Sequence, residues 1–321
     1  MRSPHEKMVP MTKQLTLLEA ASLRKSLSAK LTAEAKKRGV AVNLIRKQYI
    51  FTIFLGRVFQ DQDAPWILLG GNALLIRTGG GRFTQDIDLA REEPWPDIEQ
   101  AREELQQLAA RPYQDEDPFD FNFVSATVHS EPDAYGYGAE TGKISVQATL
   151  GGVLFEPFNI DITTRRHVDS AVDQVALNAV IDHATLQDLP TVPTTPIENH
   201  LADKICALYE GYGADGNKVS TRYRDLADIV RIVAAIEFDA ARLTVVLERE
   251  ADRRRMTLPT EFIAPGDAWS TAFPNAAADF AEYPPQYRDL DAALNYVGSC
   301  LNEVLSGERT SGIWDPAQHW S

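Results

Sequence analysis

Residues 82–89 read Arg82-Phe83-Thr84-Gln85-Asp86-Ile87-Asp88-Leu89. The apolar Ile87 and Leu89 alternate with Asp86 and Asp88, the period-2 pattern of a strand. Strand residues two apart share a face, so both carboxylates point the same way. Carboxylates held together repel, and a cation between them relieves that cost. Oxygen ligands alone favour a hard ion, Mg²⁺ or Mn²⁺, and such an ion commonly works on phosphates. A solvated strand end carrying two acids would show the same letters, so the surrounding sequence matters.

Just upstream, Trp66-Ile67-Leu68-Leu69 is a short apolar strand, and Gly70-Gly71-Asn72 opens a helical turn over 73–77. Glycines let the backbone approach a ligand, and the N–H groups at a helix start attract phosphate. The glycines at 79–81 are no P-loop, because no Gly-Lys-Ser/Thr follows. Thr84 shares the face of the two acids, and its hydroxyl could hold a phosphate oxygen. Arg82 has the same parity and could offset charge.

Further along, Phe158-Asn159-Ile160-Asp161-Ile162 places a third acid in an apolar strand, with Asp161 opposed in parity to both isoleucines. A buried carboxylate needs a metal or a partner. Asp161 could complete the shell of the metal held by Asp86 and Asp88, or act as general base beside a metal-bound hydroxyl. A strand acid facing solvent is the plainer alternative. Two helices follow. Lys204 edges the apolar stripe Leu201, Ile205 and Leu208, and Asp225 edges the stripe Leu226, Ile229, Val230 and Val233. Such a lysine can hold a triphosphate as a point charge, oriented by Asp225. An interhelical Lys–Asp ion pair is the alternative. Arg222 and Arg224 add cations nearby. The six histidines are scattered without i, i+4 pairing, and none is assigned to catalysis.

The 321 residues suggest two or three packed units, and 44% hydrophobic with 24% charged residues is an ordinary globular balance. Helices are expected over 15–38, 42–60, 96–110, 197–211, 222–236, 239–255, 276–282 and 288–305. Strands are expected over 66–70, 119–128, 143–150 and 155–163. Residues 1–13 read as irregular, and the tail from Ser306 as a loop. Leu189-Pro190-Thr191-Val192-Pro193-Thr194-Thr195-Pro196 reads as a connector. The expected division is a basic helical region 1–65, a sheet-bearing core 66–190 and a helical domain 191–321. Residues 1–60 hold 12 Lys and Arg against 3 Asp and Glu, a net of +9; the rest holds 20 against 43, a net of −23. That asymmetry points to a polyanion at the N-terminal region, or to a basic face packed on the chain's own acidic body. No export signal or membrane span is expected. Cys206 and Cys300 lack metal-ligand spacing. Cys206 reads as a small core residue, and two free thiols without a disulfide suit a cytoplasmic setting.

These pieces, in this order, resemble one family. Leu68-Leu69-Gly70-Gly71-Asn72-Ala73-Leu74, the 82–89 stretch, Ile160-Asp161-Ile162, Leu201-Ala202-Asp203-Lys204 and Arg224-Asp225-Leu226-Ala227-Asp228-Ile229 look like the AbiEii/AbiGii-type nucleotidyltransferase toxins, MenT-like members of the polymerase-β-like nucleotidyltransferase superfamily. The resemblance spans about residues 40–235. It implies an α+β fold, with a mixed sheet flanked by helices and a C-terminal helical domain. It implies Asp86 and Asp88 as the metal pair, Thr84 as the motif's Ser/Thr, Lys204 as the nucleotide-handling lysine and Asp225 as the last acid. Asp161 matches less firmly. Many relatives carry Lys where Leu69 stands, and Thr or Ser where Asn72 stands. The implied activity is transfer of a nucleotide from an NTP, with Mg²⁺ or Mn²⁺, to a tRNA 3′ end, by the toxin of a type IV toxin–antitoxin system with a separate antitoxin. Modification of a small molecule such as an antibiotic, or a non-catalytic nucleotide-binding module, are the rival expectations.

Overall fold

The computed structural model describes residues 15–61, 63–80, 83–91, 97–129, 141–164, 172–213, 216, 218–280, 283–317 and 319–321. Arg82 and the N-terminal stretch before Leu15 lie outside them. Helix α1 (Leu17–Arg38) starts at a capping box between Thr16 and Glu19 and stops where Gly39 turns left-handed at φ 67°. Helix α2 (Val42–Val58) buries Ile45, Tyr49 and every residue from Ile50 to Val58, as its broad apolar face requires.

The chain continues through β1 (Trp66–Leu68), α3 (Gly70–Thr78), β2 (Asp86–Arg91), α4 (Ile98–Ala109), β3 (Phe119–His129), β4 (Thr141–Leu150), β5 (Val153–Thr164), β6 (Asp173–Ala176) and β7 (Thr191–Thr194). It then runs through α5 (Ile197–Tyr209), α6 (Tyr223–Ala235), β8 (Phe238–Asp239), α7 (Ala240–Arg253), α8 (Trp269–Ala278), α9 (Leu290–Leu305), β9 (Ile313–Asp315) and β10 (His319–Trp320). The seven longer-range strands form one mixed sheet in the order β3-β4-β5-β2-β1-β7-β6. Strands β2 and β5 run parallel, as do β1 and β7; the other neighbours are antiparallel. The architecture is α+β, a mixed sheet flanked by helices.

Three local expectations are corrected. The proline-punctuated segment supplies β7, because Pro193 sits opposite Gln174 of β6 while β7 meets β1 only at Leu68–Thr194, so little ladder is lost at the proline. The weak helix expected at 276–282 instead begins at Trp269 and contains Pro274: Trp269, Phe273 and Ala277, four apart, are all fully buried, and that burial outweighs the proline. The tail is not all loop, since β9 and β10 pair with β8, and Trp314 Nε1 donates to the Val233 carbonyl at 2.8 Å.

The buried apolar side chains form two clusters. One runs from Leu27 to Val192 and joins α1, α2 and α4 to one face of the sheet. The other runs from Ile197 to Trp314 through α5–α9, and takes in Leu74 of α3. Helix α3 thus touches both cores. Arg231 of α6 ties to it as well, donating to the Thr78 hydroxyl at 2.7 Å and to the Gly80 carbonyl.

The first core contains one buried charge pair. Arg57 is 1% exposed and donates to Asp117 Oδ2 at 2.7 Å, to the Ala109 carbonyl at 2.7 Å and to the Phe119 carbonyl at 2.6 Å. Asp117 in turn accepts the Phe119 N–H at 3.1 Å. This node joins α2, the end of α4 and the start of β3. Arg57→Met strands the Asp117 charge in the interior, and the expected loss is about 3–5 kcal/mol. Urea denaturation reads it, and a loss under about 1 kcal/mol would contradict the assignment.

Candidate active site

The acidic face is set by strand register. In the parallel β2–β5 ladder Asp86 pairs with Asn159 and Asp88 with Asp161, and in the antiparallel β4–β5 ladder Lys143 pairs with Asp161. Ile87, Leu89, Ile160 and Ile162 are buried on the opposite face. Asp86 Oδ1 accepts from Asn159 Nδ2 at 3.2 Å, and Asn159 Oδ1 accepts from the Ser145 hydroxyl at 3.0 Å. Lys143 Nζ stands 3.1 Å from Asp161 Oδ1 and 3.6 Å from Asp86 Oδ2. Burial alone would lower the Lys143 pKa, but hydrogen bonds and charge from Asp161 and Asp86 outweigh it and raise it.

Helix α3 is pinned to this strand. Asn72 Nδ2 donates to the Asp86 carbonyl at 2.8 Å and Asn72 Oδ1 accepts the Thr84 hydroxyl at 2.8 Å. The Leu69 N–H donates to the Asp88 carbonyl at 2.9 Å. Gly70 sits at φ +60°, and a Cβ there would collide with the Asp88 carboxylate. Both the conformation and the close approach therefore demand glycine.

The opposite wall comes from α5, α6 and α7. Lys204 is 7% exposed and donates to Asp225 Oδ1 at 3.0 Å and to Asp228 Oδ2 at 2.6 Å. Its burial would lower its pKa, yet the two aspartates, Asp228 foremost, raise it and keep it cationic. Arg254 donates to Asp203 at 2.5 Å, to Glu210 at 2.6 Å and to Glu250 at 2.6 Å. Cys206 is fully buried, and burial pushes its thiol up to about 12, which fits a core residue.

A cleft of about 470 Å³ lies between the walls. Gly70, Gly71 and Asp88 line it on the sheet side, and Lys204, Asp225 and Arg222 on the helical side, with Arg249, Arg253 and Arg254 farther along. So Gly70, Gly71, Asp88, Lys204, Arg222 and Asp225, all singled out in the sequence, share one cavity. Asp86 and Asp161 lie on the same sheet face, joined through Lys143. Thr84 is buried, and its hydroxyl is committed to Asn72. Arg82 is not among the described residues. Among those residues no three His, Cys, Asp or Glu side chains converge closely enough to hold an ion together.

Sequence reasoning missed Asn72, Lys143, Asn159 and Asp228. Asp228 had a signal: it lies three after Asp225, on the same helix face. Lys143 had half of one, since Lys143 and Ser145 alternate with Ile144 and Val146. Its pairing with Asp161 depends on register between strands, which the alternation does not fix.

A mixed sheet presenting acids to a cleft with a buried lysine on its far wall is an arrangement suited to handling a nucleoside triphosphate. The family model "Nucleotidyl transferase AbiEii toxin, Type IV TA system" matches residues 53–296, and the chain belongs to that family of type IV toxin–antitoxin nucleotidyltransferases. Among solved structures, the chain is similar to JHP933 from Helicobacter pylori, with 14% identity, 83% of this chain and 92% of that one covered, and a TM-score of 0.44. It is also similar to MenT4, nucleotidyltransferase toxin Rv2826c from Mycobacterium tuberculosis H37Rv, with 18% identity, 89% and 99% covered, and a TM-score of 0.44. No curated protein matches the chain.

His200 also lines the cleft and is buried, with no hydrogen-bond partner at Nδ1. Burial first, then the charges of Lys204 and Arg77, lower its pKa from 6.5 to about 3, against a pull from Asp225. The unfolded chain therefore takes a proton near pH 6.5 that the folded chain refuses until near pH 3. Stability from this group is full above pH 6.5 and is lost as the pH falls through that window. Between pH 7 and pH 5 the wild type is expected to lose about 2 kcal/mol more than His200→Gln. Urea midpoints at the two pH values test this, and equal losses would contradict it.

Proposed function

We propose that the chain is a Mg²⁺-dependent enzyme that transfers NMP from an NTP to the hydroxyl of a tRNA 3′ end. The acceptor oxygen forms a bond to the α-phosphorus, the bond from that phosphorus to the bridging oxygen breaks, and pyrophosphate leaves. The observation that carries this reading is the shared cleft of Gly70, Gly71, Asp88, Lys204 and Asp225.

The donor chemistry fits a hard divalent ion. Mg²⁺ is commonly held by one or two carboxylates, with water and substrate phosphates completing its shell, and Asp86 and Asp88 present that pair from one strand face. Such an ion supplies positive charge for the oxygens entering and leaving phosphorus. Asp161, opposite Asp88 in the ladder, is the proposed acceptor of the hydroxyl proton. The Gly70-Gly71 turn offers backbone N–H groups at the start of α3 to phosphate. Asp225 and Asp228 take two of the three Lys204 donors and fix its ammonium, which leaves one for a phosphate oxygen. Thr84 serves by holding Asn72 against β2.

The tRNA assignment draws on the basic N-terminal region. Lys25, Lys30, Lys36 and Lys37 of α1 are exposed, and Lys47 of α2 reaches the Gln85 carbonyl at 3.2 Å, next to the acidic strand. Exposed cations leading to an acidic, ion-binding centre suit a phosphate backbone whose end must reach that centre. No described helix is long and apolar enough to cross a membrane. We place the protein in the cytoplasm with a separate antitoxin as partner.

Pure protein incubated with labelled NTPs, Mg²⁺ and total RNA is expected to label RNA 3′ ends. Asp86→Ala is expected to slow this about 10²-fold or more. Label transfer that continues unchanged in Asp86→Ala would refute the reading.

A further inference from the structure

Lys143 is the cation that the acidic face already contains. Its ammonium lies between Asp86 and Asp161, at 3.6 Å and 3.1 Å, and its side chain is 33% exposed. Three strands build this arrangement. Asp86 is on β2, Asp161 on β5 and Lys143 on β4, directly across from Asp161 in the ladder. The two contacts differ in length: both are ion pairs, at 3.1 Å to Asp161 and 3.6 Å to Asp86. Asp86 keeps a separate hydrogen bond from Asn159.

We propose that Lys143 is a positioning residue that sets the divalent-ion affinity of the Asp86–Asp88 pair. The inference rests on the metal reading of those two acids given above. Lys143 lies across the sheet from the pair and lends Asp86 one positive charge. When the pair takes up a divalent cation, two like-charged centres cannot both stay close to Asp86, because repulsion at such distances is several times thermal energy. Lys143 gives up the longer Asp86 contact and retains the shorter ion pair with Asp161.

The consequence runs against the usual direction of active-site mutation: removing Lys143 tightens ion binding. The experiment is calorimetric titration of the full chain with Mn²⁺, without nucleotide, for wild type, Lys143→Met, Lys143→Arg and Asp88→Ala. Lys143→Met is expected to bind Mn²⁺ about tenfold more tightly, while Lys143→Arg, which keeps the charge, stays within about threefold of wild type. Thermal unfolding in EDTA gives a second reading. Lys143→Met is expected to melt below wild type because Asp86 and Asp161 then lose their shared ammonium, and the deficit is expected to shrink on adding Mn²⁺. A merely structural lysine would lower both stability and ion affinity. Lys143→Met binding Mn²⁺ no more tightly than wild type would overturn this proposal and leave the metal pair standing. Unchanged Mn²⁺ affinity in Asp88→Ala would instead overturn the metal pair, and this proposal with it.

Discussion

The parallel pairing of β2 with β5 is the constraint on which the site depends. It sets Asp88 beside Asp161 and Asp86 beside Asn159, two residues on each strand pointing to one face. The isoleucines and Leu89 between them are sealed into the core on the other face. A slip of one residue in either strand would bury a carboxylate and expose an isoleucine, so the core enforces the register that the acids need. Hydrophobic burial thus pays for electrostatic repulsion, and the remaining repulsion is met locally by Lys143 and Asn159.

The second wall solves the opposite problem. Lys204 is a charge taken almost wholly out of water, a position tolerated only with partners in place, and α6 supplies Asp225 and Asp228 at one helix spacing. Helix α3 links the walls. Its first residues abut Asp88, Leu74 enters the C-terminal core, and its end binds Arg231. The cleft is therefore bounded by elements that each answer to a different core, with α3 common to both. The cleft thus sets a face of carboxylates opposite a wall that carries Lys204 and several arginines.

Much of this was readable in the sequence. The alternation around Asp86–Asp88 and Asp161 gave strands with acids outward, because period-2 burial leaves a direct trace in residue order. The Gly-Gly turn was legible from glycine itself, and the Lys204 and Asp225 stripe edges from helical spacing. What was not legible depends on distant segments meeting. The ammonium of Lys143 is invisible until β4 is laid beside β5. Thr84 looked like a phosphate ligand because its parity is right, yet its hydroxyl is taken by Asn72, a residue on another element. The helix expected at 276–282 begins at Trp269, because burial of Trp269, Phe273 and Ala277 at i, i+4 spacing carries it through Pro274. Local propensity reads well where the periodicity is strong, and poorly where a tertiary contact decides.

The most direct test of the account is a crystal structure of the full chain with Mn²⁺ and a non-hydrolysable NTP, with the ion located by its anomalous scattering. The account expects the Mn²⁺ peak in contact with Asp86 and Asp88, and the triphosphate running between the Gly70-Gly71 turn and Lys204. A peak away from both carboxylates, or a nucleotide bound outside that cleft, would contradict it.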